Sequence, residues 1–266
     1  MEVHDVVIVG AGIAGLATAI ALKRVGVKAL VLEKSEGLRA TGAAIGLHPN
    51  AWLALEALGV VHKLTTTTYP PLRKYCEDIP HDPEMIKKEV ISNFAKNFPT
   101  SYLRVVQHSD LSTVTWAPLL FRFPWDVILG NLSKGNITVA GDAMHPMTPD
   151  LGQGGCSALE DAVVLGRHIG NLIIKNKKLV AGDQVAEALE RYVKERKWRV
   201  AKLIVGAYLA GWVQQDGSGW FMKFLRDSIF YRHFSSLMSN DQLYDCGKLP
   251  CVSSSNNELD NDPRKS

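Results

Sequence analysis

The chain has 266 residues, 46% apolar and 21% charged, with a formal net charge of +3. That is the composition of a folded globular protein of one large domain or two small ones. So small a charge gives no ground for a nucleic-acid partner, and no apolar run reaches the roughly 18 residues of a membrane span. The four cysteines, Cys76, Cys156, Cys246 and Cys251, lack metal-ligand spacing and are too sparse for a disulfide scaffold. No metal site is therefore expected, and the compartment should be reducing.

The N-terminus enters an apolar strand without the pattern of a cleaved leader. The expected location is the cytoplasm, with a plastid left open. Residues 4–9, HDVVIV, read as a buried strand closed by Gly10. Residues 13–24 are helical in pattern, with Gly26 placed as a stop, and 27–32 read as a second buried strand. A strand–helix–strand unit of this kind is parallel and right-handed. Residues 47–58 form the next predicted helix, ended by Gly59.

Between residues 60 and 83 periodicity is lost among four threonines and four prolines, which marks a linker or irregular excursion. Residues 83–97 look helical, with Asp82 as N-cap and Pro83 in the first position. Residues 113–123 are strand-like, although Pro118 confines them to an edge or bulge. A strand at 136–140 follows, then a loop rich in proline and glycine, then a helix over about 155–174. Asp183 is placed to cap a long helix reaching about 214, with a shorter one at 219–230. Beyond Pro250 the chain reads as disordered.

Gly10-Ala-Gly12-Ile-Ala-Gly15 falls between a predicted strand and a predicted helix. Glycines there permit a tight turn, close approach of backbone to a pyrophosphate, and close helix–strand packing. The helix N-terminus presents free N–H groups to the phosphates. Glu33 ends the second strand a little over 20 residues on, where a carboxylate holds a ribose diol. Its charge disfavours a 2′-phosphate, which leaves NAD or the adenosine half of FAD.

The stretch GDAMHPMTPDLGQGG, residues 141–155, points to FAD. NAD needs no second strand–loop–helix unit, whereas the far half of an extended FAD needs its own site. Asp142 can accept a hydrogen bond from a ribityl or ribose hydroxyl, and Pro149 offers a rigid apolar wall. Gly152, Gly154 and Gly155 let backbone N–H groups approach a ring edge. The helix that follows adds its positive end, which stabilises negative charge on a reduced flavin.

These two motifs, with Thr41-Gly-Ala-Ala-Ile-Gly-Leu-His-Pro-Asn50 and Leu151-Gly-Gln-Gly-Gly-Cys-Ser-Ala-Leu-Glu-Asp161, resemble the FAD-dependent aromatic hydroxylase family of flavoprotein monooxygenases. The likeness is strongest to its plant branch of zeaxanthin epoxidase and monooxygenase 1-type proteins. It covers about residues 1–62 and 84–215. The resemblance implies FAD reduced by NAD(P)H, capture of O2, and transfer of one oxygen atom to a small organic substrate. It names no obligatory catalytic side chain, because the flavin does the chemistry. The cofactor-binding set it implies is Gly10, Ala11, Gly12, Ile13, Ala14, Gly15, Glu33, Lys34, Asp142, Pro149, Gly152, Gln153, Gly154, Gly155 and Cys156. A homo- or heterodimer is compatible with it.

Three departures stand out. The family's middle Asp-Gly motif is missing, since the only Asp-Gly is Asp216-Gly217, after the second FAD motif. An Arg-bearing helix between the motifs has no counterpart, and the chain is short. An internal deletion explains all three, and it would leave strand edges unpaired and apolar faces bare. The expected architecture is therefore α/β: a Rossmann-like (GR2-type) FAD-binding domain from residues 1–62 and 136–215, and a truncated β-rich substrate region at 63–135. A helical C-terminal segment at 216–250 and a disordered tail at 251–266 complete it. Three functions remain: a flavin monooxygenase, a silent truncated isoform that binds FAD weakly or acts through a full-length partner, and a reductase or oxidase without oxygen transfer.

Several residues invite other readings. His145 is expected to pack the loop rather than act as a base, and Cys156 to fill space. Arg191, Lys194, Arg196, Lys197, Arg199 and Lys202 read as a solvated helix face. Trp198, Tyr208 and Trp212 read as core. Trp116, Phe121, Phe123 and Trp125 suit either strand packing or the remains of a substrate chamber.

Overall fold

The computed structural model describes residues 4–38, 45–65, 82–95, 98–113, 120–177, 182–215 and 242–251. They divide into two compact units: Met1–Glu36, Ile45–Thr67 and Leu120–Ser266 in one, Gly37–Ala44 and Thr68–Leu119 in the other. The chain runs β1 (Val6–Val9), α1 (Ile13–Arg24), β2 (Ala29–Leu32), α2 (Pro49–Ala57), α3 (Val61–Thr65), α4 (Pro83–Glu89) and α5 (Thr100–Gln107). It continues with α6 (Pro124–Leu129), β3 (Ser133–Lys134), β4 (Ile137–Thr138), α7 (Gly154–Asn176) and α8 (Asp183–Gln215). No described helix is long and apolar enough to cross a membrane.

β1 and β2 pair in parallel, Val6 opposite Ala29 through Val9 opposite Leu32, with α1 as the connection. Val25 caps α1 and Gly26 follows at φ +80°, a left-handed position that glycine occupies without strain. The alternation of a strand sends Val6, Ile8 and Ala29 toward the core and Val7, Val9, Leu30 and Leu32 outward, Val9 at 85% exposure. Parallel strands are ordinarily covered on both faces. This sheet, two-stranded among the described residues, has one apolar face bare, as loss of neighbouring strands would leave it.

α7 is the spine of the first unit. Cys156 through Gly166 are buried without interruption, and the helix packs on α1, α2 and α8. Small residues set the spacing. A methyl on Gly166 would lie 2.7 Å from Ala21 Cβ, and one on Gly170 would lie 2.8 Å from Val25 and 2.6 Å from Pro250. The groove these glycines leave is filled on one side by α1 and on the other by Leu249 and Pro250.

In the second unit, Asp82 caps α4 by accepting the Glu84 N–H at 3.1 Å, as expected. The expected single helix over 83–97 instead passes into a π-helical turn at Val90–Phe94. α5 in this unit and α6 in the first were not legible as helices, because each is under three turns and opens beside a proline. With them the described part of 63–135 is mainly helical, which corrects the β-rich reading of that region.

The expected strand at 136–140 is reduced to Ile137–Thr138, turned back on β3 around Gly135 at φ +55°. Asp183 is the first residue of α8 rather than its cap. Residues 242–250 carry no helix, which corrects the helical reading of 216–250 for that part. Gln242 accepts the Asn50 N–H at 2.8 Å and Leu249–Pro250 lies in the α7 groove, so tertiary contact replaces local hydrogen bonding there. The predicted helix at 219–230, most of the strand at 113–123, Trp116 and the Asp216-Gly217 turn lie outside the described residues.

Candidate functional site

Gly10 leaves β1 at φ +105° while its N–H still donates to Leu32 O at 2.7 Å. Gly12 is the N-cap of α1 in extended conformation and offers no side-chain cap, so the first-turn N–H groups of α1 are unpaired within the helix. The three glycines differ in what they allow. A methyl on Gly15 would sit 1.9 Å from Gly10 O, whereas one on Gly12 meets nothing within 4 Å. Gly15 is thus required by packing of helix on strand, and Gly12 faces open space.

Glu33 folds back on the turn. Its carboxylate accepts the Ala11 N–H at 2.7 Å and the Ser35 N–H at 2.9 Å. Those backbone donors, Ala11 foremost, lower its pKa to about 2. The side chain is exposed, so the charge is held in place and open to solvent. Lys34 lies beside it, also exposed.

The second motif is built on two 3-10 turns, Gly141–Ala143 and Pro149–Leu151. Gly141 at φ +58° and Gly152 at φ +62° turn the chain at each. Asp142 and Pro149 are exposed, while Met144, His145 and Gln153 are buried. α7 opens at Gly154 without a side-chain cap, so its first N–H groups are also unpaired within the helix.

Under this loop lies a fully buried charge network. Asp161 accepts the Gly141 N–H at 2.8 Å, bonds His145 Nε2 at 2.6 Å and accepts Arg196 Nε at 2.7 Å. Burial alone would raise the Asp161 pKa, but His145 and Arg196 outweigh it and hold it at about 2. Arg196 also donates to the Ser157 hydroxyl at 2.9 Å, and its Nη1 lies 2.7 Å from Glu160 Oε2. Arg199 takes both Glu160 oxygens at 2.7 Å. Asn50 Nδ2 donates to Glu160 at 2.6 Å and to Gln153 at 2.9 Å. Tyr244 lies with its ring centroid 4.0 Å from the Arg199 guanidinium carbon.

Burying charge is tolerated only when it is paired and hydrogen-bonded. Here the pairing ties α2, the loop, α7, α8 and the 242–251 segment to one another. Arg196, with no exposure, and Arg199, at 9% for its side chain, correct the reading of a solvated basic face. No sequence signal marked them, because the acids they pair with, Glu160 and Asp161, stand on a different helix. His145 packs the loop as expected. Cys156 is buried and its thiol pKa is raised, chiefly by burial, so it fills space and is not activated.

The two motifs meet. A methyl on Gly141 would lie 2.6 Å from Ala14 Cβ, and one on Gly155 would lie 3.7 Å from Ile13 Cδ1 and 3.2 Å from Ile45. Both helix N-termini therefore open side by side, with exposed Ile13 and Ile45 between them. Trp198, Tyr208 and Trp212 were read as core and are instead 62%, 51% and 43% exposed.

These residues are compatible with an extended dinucleotide on two observations. Gly12 leaves free space before an uncapped helix, which suits a pyrophosphate. Among the described residues, buried polar atoms without a partner include Asn50 Oδ1, His145 Nδ1, Thr148 Oγ1 and Gln153 Nε2, all in or against the second loop. Such orphans are rare in a complete structure.

Comparison with known proteins agrees. The family model described as FAD binding domain matches residues 3–111 and 124–207. Monooxygenase 2 of Arabidopsis thaliana is 28% identical over 400 residues, covering 92% of this chain and 98% of the relative. Monooxygenase 1 of the same plant is 27% identical, covering 94% and 100%. Both ends of each pair align, so the hundred and more positions a 266-residue chain leaves unfilled are internal to it. Among solved structures, Klebsiella pneumoniae HpxO complexed with FAD and uric acid superposes with a TM-score of 0.67 at 16% identity, covering 91% of this chain and 97% of that one. With the two glycine-rich turns facing each other and these matches, the chain belongs to the FAD binding domain family, as a flavoprotein of the monooxygenase kind with an internal deletion.

Proposed function

We propose that one FAD lies across the two turns of the first unit, within a Rossmann-like, GR2-type arrangement. Gly10, Ala11, Gly12, Ile13, Ala14 and Gly15 receive the pyrophosphate, which takes the α1 N–H groups. Glu33 accepts the ribose hydroxyls beside Lys34. Asp142 accepts a ribityl hydroxyl. Pro149, Gly152, Gln153, Gly154, Gly155 and Cys156 bound the ring, and the positive end of α7 favours negative charge there. When bound, FAD supplies hydride acceptance from NAD(P)H and delivery of one oxygen atom from O2 to a small ring-shaped substrate, of the kind that uric acid represents in the HpxO complex. Asp161 holds the Gly141 N–H and so fixes the aim of Asp142.

The observation that carries this reading is the contact of Ala14 with Gly141, which supports it by bringing the two glycine-rich turns side by side. Visible flavin absorbance that survives gel filtration, bleaches with NAD(P)H and returns in air is the expected result. Colourless protein after reconstitution with FAD overturns it.

A second reading rests on the bare sheet face. Val7, Val9, Leu30 and Leu32 are exposed where a complete parallel sheet covers such residues. On that reading the chain is a silent isoform that binds FAD weakly, or acts through a longer partner or a dimer. Stable flavin that NAD(P)H does not bleach selects it. Cytoplasm is the proposed location, with a plastid as the competing one.

A further inference from the structure

Residues 242–250 form a strap that carries no helix or strand. Its side chains alternate: Leu243 and Asp245 are exposed, Tyr244 is half-buried and Cys246 is buried. Asp245 then accepts the Gly247 N–H at 2.8 Å. Gly247 turns the chain at φ +81°, and Leu249 and Pro250 enter the groove left by Gly166 and Gly170. Burial foremost, then the nearby Glu160 charge, pushes the Cys246 thiol up to about 12, so it sits there as a neutral apolar plug.

The strap reaches Glu160 from two sides. Gln242 O accepts the Asn50 N–H at 2.8 Å, a first-turn donor of α2 that has no acceptor within the helix. The Asn50 side chain makes the next step, donating to Glu160 at 2.6 Å and to Gln153 at 2.9 Å. On the other side the Tyr244 ring centroid lies 4.0 Å from the Arg199 guanidinium carbon and 5.5 Å from that of Arg196. Both arginines pair with Glu160, and a cation over a ring face is held more strongly where little water competes. Glu160 lies in the second turn of α7 and Gln153 directly before that helix, so both arms end where the second glycine-rich turn runs into α7. A segment held by side-chain packing opens at a lower free energy than the core elements around it. Opening of this one takes the acceptor from Asn50 and uncovers the two arginines.

We propose that residues 242–250 are a latch that positions the second glycine-rich turn through Asn50 and Glu160, so that closing of the latch and binding of FAD favour one another. Tyr244 and Asn50 are positioning residues, which act through Glu160 and Gln153 and not on the ring. Linkage makes the effect reciprocal: whatever factor the closed latch adds to FAD affinity, FAD adds to latch closure. The part played by FAD rests on the proposed cofactor reading, and the hold on the turn stands without it.

Two readouts on the full chain test it. Alkylation of Cys246 by iodoacetamide, read by mass spectrometry, measures latch opening, and hydrogen exchange over residues 141–155 measures the turn, with β1 as reference. Without FAD, Tyr244→Ala should speed Cys246 alkylation about tenfold and speed exchange at 141–155 with it, leaving β1 unchanged. Tyr244→Phe keeps the ring and should restore most of the protection, and Leu243→Ala, on the exposed side, should match the parent. Saturating FAD should slow Cys246 alkylation severalfold. Cys246→Asp, which cannot bury its charge beside Glu160 and so holds the latch open, should bind FAD more weakly by that same factor. Faster alkylation with unchanged exchange at 141–155 overturns the proposal, leaving a strap that only packs. Equal acceleration in β1 also overturns it, by showing global loosening, as does bound FAD that leaves Cys246 alkylation unchanged. Failure of FAD to bind the parent sinks the cofactor reading, and the exchange comparison made without FAD still decides the latch.

Discussion

Ala14 and Gly141, one from each glycine-rich turn, are in direct contact: a methyl on Gly141 would stand 2.6 Å from the Ala14 Cβ. Gly141 also sits at φ +58°, where a side chain is strained. Gly141→Ala should therefore destabilise the unit by about 2–4 kcal/mol from overlap and backbone strain, and lose flavin with it. Chemical denaturation and retained absorbance measure the two losses.

Gly12→Ala separates folding from binding. Its methyl meets nothing within 4 Å, so stability should change by no more than about 1 kcal/mol. The same methyl enters the space assigned to a pyrophosphate, and FAD retention should drop at least tenfold. Equal retention in parent and variant would move the phosphate elsewhere.

Removing one partner of the buried network should be costly. Asp161→Asn leaves Glu160 as the charged partner of Arg196, beside the Ser157 hydroxyl, and weakens the acceptor of the Gly141 N–H. Loss of one member of a buried pair costs about 3–5 kcal/mol, and the remaining Glu160 places this case at the lower end. Urea denaturation at neutral pH checks it.

Acid should act through the same carboxylate. The Asp161 pKa is about 2 in the folded chain against an ordinary 3.8. Between those values the unfolded chain holds more protons than the folded one, so stability falls as pH falls from about 4 toward 2. In the Asp161→Asn variant that step should be missing from the pH dependence of unfolding.

Glu33 is exposed and holds its charge down to about pH 2. Glu33→Gln should leave the melting temperature nearly unchanged, weaken FAD binding several-fold, and relax discrimination against a 2′-phosphorylated adenosine ligand. In the parent, FAD affinity should show no Glu33-dependent step between pH 4 and 8. Fluorescence titration of FAD across that range decides both.

Helix ends were the most legible feature of the chain. The bounds of α1 follow from Gly12 and Gly26, and those of α2 from Pro49 and Gly59, because each is a local backbone property. The Asp82 cap is of the same kind. α5 and α6, of eight and six residues, are too short for their periodicity to be readable. Arg196 and Arg199 looked solvated because a helix sequence shows which residues share a face, and nothing about what lies opposite it. Tyr208 and Trp212 failed the other way: their spacing is that of a core stripe, and α8 has a second such stripe with nothing described upon it. Among the site candidates, the glycines and Glu33 stood out through turn chemistry. The bond between Asn50 and Gln153 needed coordinates, since it links positions far apart in sequence.

By itself the sequence determined the two turn–helix units and the carboxylate closing β2, since backbone freedom and local capping are properties of neighbouring residues. Only the tertiary structure decided that Ala14 meets Gly141, that Asp161 and Arg196 are buried together under the second loop, and that one face of β1 and β2 is bare. Those outcomes depend on which surfaces remain to cover one another once the chain has folded, and burial is a property of the whole packing, not of any one segment.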